Sequence, residues 1–345
     1  MINIKKIIFI FDYYFYKGKN KIYTLIFERI KKFQMINNLA IFNLPDNFQF
    51  SKKVIFCFWD PKLVHLGDQL FYQPVIDFLN KQFQVEIITY SAMKNYFSSL
   101  GYKTYVLDEK ENEKIEGAIL ITTKDMFWEI TRKFSKNNIF FGIEFSSPPK
   151  AKRVVEIIFE IILEVFKKLN ISCKTSDLDN VNLCPIFSSS ILEKYKNSSS
   201  LKIFLENLDK KFFLFNNYIF SRFIGIGPKR KKMLEDLAKE KKKEGYLIVH
   251  TGSKKDKETD RKKYDFIDYD LRGITEPLEL FKILSLDNVY GVISFDTFIM
   301  HVASMLRKDL YIVIKSRLTG KKNENIIKIF VPMASCFKNL IKFVK

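Results

Sequence analysis

Downstream of Lys53 the chain switches repeatedly between two spacings of apolar residues. Short apolar runs (VIFCFW, VEIITYS, KTYVLD, AILITT, NIFFGIE) alternate with stretches in which apolar residues recur every three or four positions (QLFYQPVIDFLNKQ, SAMKNYFSSLG, MFWEITRKFS). The runs suit strands and the longer stretches suit helices with one apolar face. Strands that lack polar alternation and are joined through helices predict a parallel sheet covered on both sides. Gly101 closes the second of these helices, a position where glycine tolerates the left-handed backbone of a helix end.

Pro148-Pro149 ends this first series, and AKRVVEIIFEIILEVFKKLNI follows as a long amphipathic helix. DLDNVNLCPIFSSS and KNSSS read as polar linker. Alternation resumes near Lys211 with strand KKFFLFNN, helix PKRKKMLEDLAKEKKKEG and strand YLIVHTGS. Helix EPLELFKILSL, strand YGVISFD, helix TFIMHVASML and strand DLYIVIK complete it. The chain is longer than one ordinary domain needs. Three parts are expected: a basic, aromatic extension over residues 1–52 with a helix near 20–35, a Rossmann-like unit with interdomain helix and linker over 53–200, and a second Rossmann-like unit over 201–345. The expected fold class is α/β, two Rossmann-like domains with parallel sheets facing an interdomain cleft.

Open α/β sheets bind ligands at the carboxyl ends of their strands, which singles out the segments after Trp59, Phe215, His250 and Phe295. The first carries His65, Gly67 and Asp68 ahead of a helix beginning near Gln69. Asp68 is there either an N-cap, worth ~1 kcal/mol over alanine, or a carboxylate able to take a proton from an attacking hydroxyl. The second begins Asn216-Asn217 and runs to GPKRKK, where Lys229, Arg230 and Lys231 open a helix. Cations at that end oppose the helix macrodipole. They form either a solvated lysine cluster or, with the terminal amides, a diphosphate site. The third is Thr251-Gly252-Ser253, where glycine lets backbone approach a ligand or simply makes a turn. In the fourth, Asp296 or Thr297 caps a helix and His301 falls near the same face. That is either a cap beside a half-buried histidine or a phosphate site.

The formal net charge of +19 changes the picture by favouring an anionic partner. A mixture rich in Lys, Asn, Ile and Phe also follows from an AT-rich genome. Nucleic acid is one candidate partner, but no RRM, KH or zinc-finger signature is present and the aromatics fall mostly within predicted strands and helices. Cys57, Cys173, Cys184 and Cys336 are scattered without a CxxC pair and the chain has 3 histidines, so no zinc site is expected and a reducing, cytoplasmic setting is. The N-terminal apolar run is interrupted at Asp12, short of a secretory signal. No stretch approaches the ~20 apolar residues of a membrane span.

These segments, in this order, resemble glycosyltransferase family 9, which includes the lipopolysaccharide heptosyltransferases. LGDQLFYQPVIDFL is similar to the family's Gly-Asp opening with a following proline, here Pro74. DLRGITEPLELFKIL resembles its DLTGKTSLxELxxLL, and VISFDTFIMHVASML its VxxDSGPMHLAAAL. The resemblance covers roughly residues 53–310. It departs at Phe298, where the family has glycine, and at Lys231-Lys232, where the family has Trp-Pro.

The resemblance implies a GT-B fold and metal-independent, cofactor-free, inverting sugar transfer with Asp68 as general base. It implies a nucleotide-sugar donor, with ADP-heptose among the candidates, held by Asn216, Lys229, Arg230, Gly252, Ser253, Asp296, Thr297 and His301. His65 and Gly67 would belong to the acceptor loop. The acceptor implied is an anionic glycolipid or glycan such as lipopolysaccharide or lipooligosaccharide. Lysines and aromatics, especially in residues 5–35, would then hold the protein peripherally on the anionic cytoplasmic face of the inner membrane. Two other classes stay open: a nucleic-acid-binding protein, and a GT-B protein that binds a sugar nucleotide without catalysis.

Overall fold

The computed structural model describes residues 33–36, 40–43, 48–58, 66–106, 115–123, 126–134, 137–143, 154–174, 183–194, 208–217, 228–295, 297–312 and 341–343. The chain divides into two compact units, Met1–Val64 with Phe71–Leu183, and His65–Leu70 with Cys184–Lys345.

In the first unit β1 (Phe33–Ile36), β2 (Ala40–Asn43), β3 (Lys53–Cys57), β4 (Gln84–Thr89), β5 (Lys103–Val106), β6 (Ile119–Thr123) and β7 (Ile139–Ile143) form one sheet. Its order is β1-β2-β7-β6-β3-β4-β5. Strands β3 to β7 run parallel, while β1 and β2 form an antiparallel hairpin on the edge strand β7. Helices α1 (Leu66–Asn80), α2 (Ser91–Ser99), α3 (Phe127–Lys133) and α4 (Val154–Lys168) accompany it. The apolar runs predicted as doubly covered strands are buried accordingly: β6 exposes only its last residue partly and β7 none. One layer of core joins Ile55, Ile88 and Leu120 to Phe127, Trp128 and Ile130 of α3.

The second unit contains β8 (Phe212–Asn216), β9 (Leu247–His250), β10 (Tyr269–Asp270), β11 (Val289–Ser294), β12 (Asp309–Ile312) and β13 (Ile341–Phe343). They lie in the order β10-β9-β8-β11-β12-β13, all parallel. Its helices are α5 (Ser189–Lys194), α6 (Pro228–Lys243), α7 (Lys254–Thr259), α8 (Glu279–Ser285) and α9 (Phe298–Met305). Phe213, Phe215, Ile248 and Ile293 of the sheet pack with Leu234 and Ala238 of α6 and with Tyr264 and Phe266.

Each sheet reverses its direction of growth once, between β3 and β6 in the first and between β8 and β11 in the second. The loops leaving such a pair diverge to opposite faces and leave a crevice at the carboxyl edge.

The structure differs from the expected organisation at the extension and at the boundary between the units. The extension over residues 1–52 is not separate from the first sheet, because β1 and β2 extend it and the Asn43 amide donates to the Asn138 carbonyl at 3.0 Å. The helix near 20–35 lies mostly outside the described residues, and from Phe33 the chain is strand. The units part at Leu183/Cys184 rather than at 200. Cys57 and Cys173 are free thiols but Cys184 is disulfide-bonded, so a wholly reduced chain is not what the structure holds. Among the described residues no helix is long and apolar enough to cross a membrane.

Candidate functional site

The carboxyl edge of the second sheet gathers most of that unit's buried polar side chains. Strand β8 ends in Asn216, and Asn217 follows. Both are buried because the strand delivers them under the loops of its neighbours. The Asn216 amide nitrogen donates to the Thr251 carbonyl at 3.0 Å, while its Oδ1 is buried with no partner among the described residues. Asn217 faces inward: its nitrogen donates to the Tyr264 hydroxyl at 2.6 Å and its Oδ1 lies 3.1 Å from His250 Nε2 at the end of β9.

From Asn217 a hydrogen-bonded hub continues across the edge. Tyr264 donates to Asp260 at 2.7 Å, and Lys231 Nζ pairs with the same Asp260 Oδ2 at 2.6 Å. Arg272, only 5% exposed, lays its Nε and Nη2 on the two oxygens of Asp270 at 2.9 and 2.8 Å and its Nη1 on the Asp260 carbonyl at 2.8 Å. Two carboxylates therefore face two cations, and the buried charge is balanced inside the hub. Burial would raise both carboxyls, but Lys231 and Tyr264 hold Asp260, and Arg272 holds Asp270, below the ordinary range. His250 is pushed the other way, down to about 3, by burial first and by the Arg272 charge second. It is neutral at physiological pH and acts as a hydrogen-bond partner.

The cations at the start of α6 were puzzling because they oppose the helix dipole. Lys231 resolves part of this: its anion is Asp260 of the protein itself. Arg230 is half-buried, and Lys229 lies in the first turn of α6.

Gly252 and Ser253 follow β9. A side-chain carbon on Gly252 would come 3.1 Å from Asp256 Oδ2 and 3.3 Å from Arg272 Cγ, so glycine lets the loop lie flat on the hub. Ser253 is the N-cap of α7. Its hydroxyl accepts from the Asp256 amide at 3.2 Å, and its own amide donates to the Asp256 carboxylate at 2.6 Å, a reciprocal capping box.

After β11, Ser294 and Thr297 place their hydroxyls 3.0 Å apart, and Thr297 occupies the N-cap of α9 without a side-chain cap bond. His301 is buried one turn into α9. Phe298, the departure from glycine, turns its ring against Phe281 of α8, with centroids 6.2 Å apart. Asp296 and His65 lie outside the described residues.

Helix α1 begins at Leu66, earlier than the expected start near Gln69. Asp68 is thus a first-turn residue and not the N-cap, a place where a carboxylate still complements the helix dipole. The neighbouring Gly67 falls, like His301, within the second unit. A side-chain carbon on Gly67 would meet His301 Cδ2 at 2.5 Å, so only glycine allows this approach.

No family model matches the chain, nor does the sequence of any curated protein. Solved structures do match its fold. A family 9 glycosyl transferase from Veillonella parvula superposes with a TM-score of 0.54 at 11% identity, covering 85% of this chain and 86% of that one. An ADP-heptose LPS heptosyltransferase II from E. coli does so with a TM-score of 0.52 at 13% identity, over 85% and 90%.

The chain has the glycosyltransferase family 9 fold.

In this GT-B type of architecture both units are Rossmann-like, as the sequence pattern predicted. Within the family 9 fold, the structure brings Asn216, Gly252, Ser253 and Thr297 to one carboxyl edge and sets Gly67 against His301. The sequence pattern pointed to Asn217 and the end of β9 at His250 but not to Asp260, Asp270 and Arg272 as parts of this edge. The Asp-Leu-Arg-Gly segment was quoted for its resemblance, yet its own charged pair, Asp270 with Arg272, was the signal that could have found the hub. Among the described residues no cluster of His, Cys, Asp and Glu could hold a metal ion.

Proposed function

We propose that this protein is a GT-B glycosyltransferase that moves a sugar, heptose being the first to try, from a nucleotide-sugar donor to a hydroxyl of a bacterial surface glycan such as lipopolysaccharide. The observation that carries the reading is the position of Asp68, in the first turn of α1 beside the Gly67–His301 contact, in a chain that shares its fold with family 9 transferases over most of its length.

In this mechanism Asp68 accepts the proton of the acceptor hydroxyl as that oxygen attacks the anomeric carbon. The bond from the anomeric carbon to the diphosphate breaks with inversion, and negative charge grows on the leaving group. The first-turn amides of α9, Thr297 and the Lys229-Arg230 pair stabilise that charge without reorganising. The anionic acceptor and the anionic membrane face supply a reason for the net charge of +19.

The test has two stages. A thermal-shift screen with ADP-heptose, ADP-, UDP- and GDP-sugars and CMP-sialic acid identifies the donor, since a ligand at about a hundred times its Kd adds ~2.7 kcal/mol. With that donor and an acceptor, Asp68→Asn should slow nucleotide release by about 10²- to 10⁴-fold while the donor's thermal shift persists. Undiminished turnover would reduce Asp68 to a dipole partner. A shift with RNA and with no sugar nucleotide would overturn the transferase reading altogether.

A further inference from the structure

The crevice where the second sheet reverses lies between β8 and β11, whose last residues, Asn216 and Ser294, are in register. On the β11 side stands the start of α9, where Thr297 leaves the N-cap without a side-chain bond and the first amides point outward. That end suits an anion. On the β8 side stands Asn216, 8% exposed, with its nitrogen committed to the Thr251 carbonyl after β9. That bond fixes which way the amide lies. Oδ1 is the other arm of that carboxamide, and β11 is the other strand paired with β8, with Ser294 level with Asn216. Among the described residues Oδ1 is a buried acceptor with no donor.

A buried carbonyl oxygen left unpaired costs about 1–3 kcal/mol, and it repels phosphate oxygens, whereas the α9 amides attract them. The two sides of the crevice therefore ask for different chemistry. We infer that Asn216 is a specificity-determining residue that accepts a hydrogen bond from a sugar hydroxyl carried next to the phosphate on α9. The inference rests on the transferase reading and deepens it: the residue reads a hydroxyl, either of the nucleotide's ribose or of the sugar to be transferred, and makes no contact with the diphosphate itself.

The experiment measures Kd by calorimetry on the full chain for inorganic pyrophosphate, ADP, 2′-deoxy-ADP, 3′-deoxy-ADP and the ADP-sugar found in the screen. Asn216→Leu should weaken the hydroxyl-bearing partner at least tenfold while pyrophosphate changes less than twofold. Wild-type protein needs no variant to fold, and it should lose a similar factor with whichever deoxy ligand lacks the recognised hydroxyl. Loss with 2′- or 3′-deoxy-ADP assigns the contact to ribose. Full affinity for both deoxy nucleotides, with a tenfold gap between wild type and Asn216→Leu only for the ADP-sugar, assigns it to the transferred sugar. Equal loss for pyrophosphate and every nucleotide overturns the inference, because Asn216 then acts only by shaping the edge. Unchanged affinities for all ligands overturn it too, and leave the transferase reading intact. Absence of any nucleotide binding by wild type overturns both.

Discussion

The two sheets are built on the same plan but place their buried charges at opposite edges. In the first unit the buried charge is Glu86, toward the amino end of the sheet, between Lys53 at 3.3 Å and Lys103 at 3.1 Å, which start the flanking strands β3 and β5. In the second, Asn216, Asn217, His250, Thr251 and Ser294 crowd the carboxyl edge. The loops that diverge where strand order reverses make the carboxyl edge the ligand side of an open α/β sheet. Glu86 therefore reads as architecture, a carboxylate whose lysines keep one end in water. The second-unit hub reads as the floor of a site, because its bonds tie together the loops that follow β8, β9 and β10.

Substitutions separate these two roles. The largest effect should come from Arg272→Met, which strips the partner from Asp270 and from the Asp260 carbonyl. Breaking a buried pair from one side should cost about 3 kcal/mol in denaturant unfolding, and donor binding should fall with it. If binding were untouched, the hub would be mere scaffolding and the contrast with Glu86 would collapse. Next, Gly67→Ala should cost between about 1 and 3 kcal/mol through the clash with the His301 ring. A mutant as stable as wild type would show that α1 and α9 do not approach this closely in solution.

A pH titration of stability comes third. The unfolded chain protonates His250 near its ordinary 6.5, whereas the folded hub resists to about 3. Between those values the unfolded state holds the extra proton, so stability falls as pH drops, by about 1.2 kcal/mol between pH 6 and 5. His250→Gln should flatten that slope, while no substitution at Glu86 should. The smallest effect belongs to Glu86→Gln. Glutamine keeps an oxygen acceptor, and the lysines, with side chains 25% and 58% exposed, find water, so the loss should be about 1 kcal/mol with ligand binding unchanged.

Why the strands were legible and the hub was not is a matter of distance along the chain. Runs such as FFLFN and IFFGI carry their own burial in four or five consecutive residues, and Gly101 and Gly245 mark helix ends by backbone conformations, φ 86 and 96, that few other residues adopt. The β1–β2 hairpin was missed because FQMI and AIFN are short, lie in a basic aromatic stretch and lack a glycine turn. The hub draws Asn217, Lys231, Asp260 and Arg272 from separate loops and a helix, and no spacing rule links them. Asp68 was found for its place after a strand, but its helical position depended on Leu66, whose helix start no cap residue announced. Lys229 and Arg230 drew attention as a run, whereas the member that forms the buried pair is Lys231, decided by helix phase rather than composition.

The contact between Gly67 and His301 also sets an order of events during synthesis. At roughly 5–20 residues per second, a ribosome delivers His301 on the order of ten seconds or more after Gly67. By then the strands β3 to β7 and the body of α1 have long emerged and can pack. Gly67 meets its partner His301 only when that much later residue is made. The Gly67–His301 contact is thus a late one, and a polypeptide released before residue 301 would carry the strands of the first sheet without it.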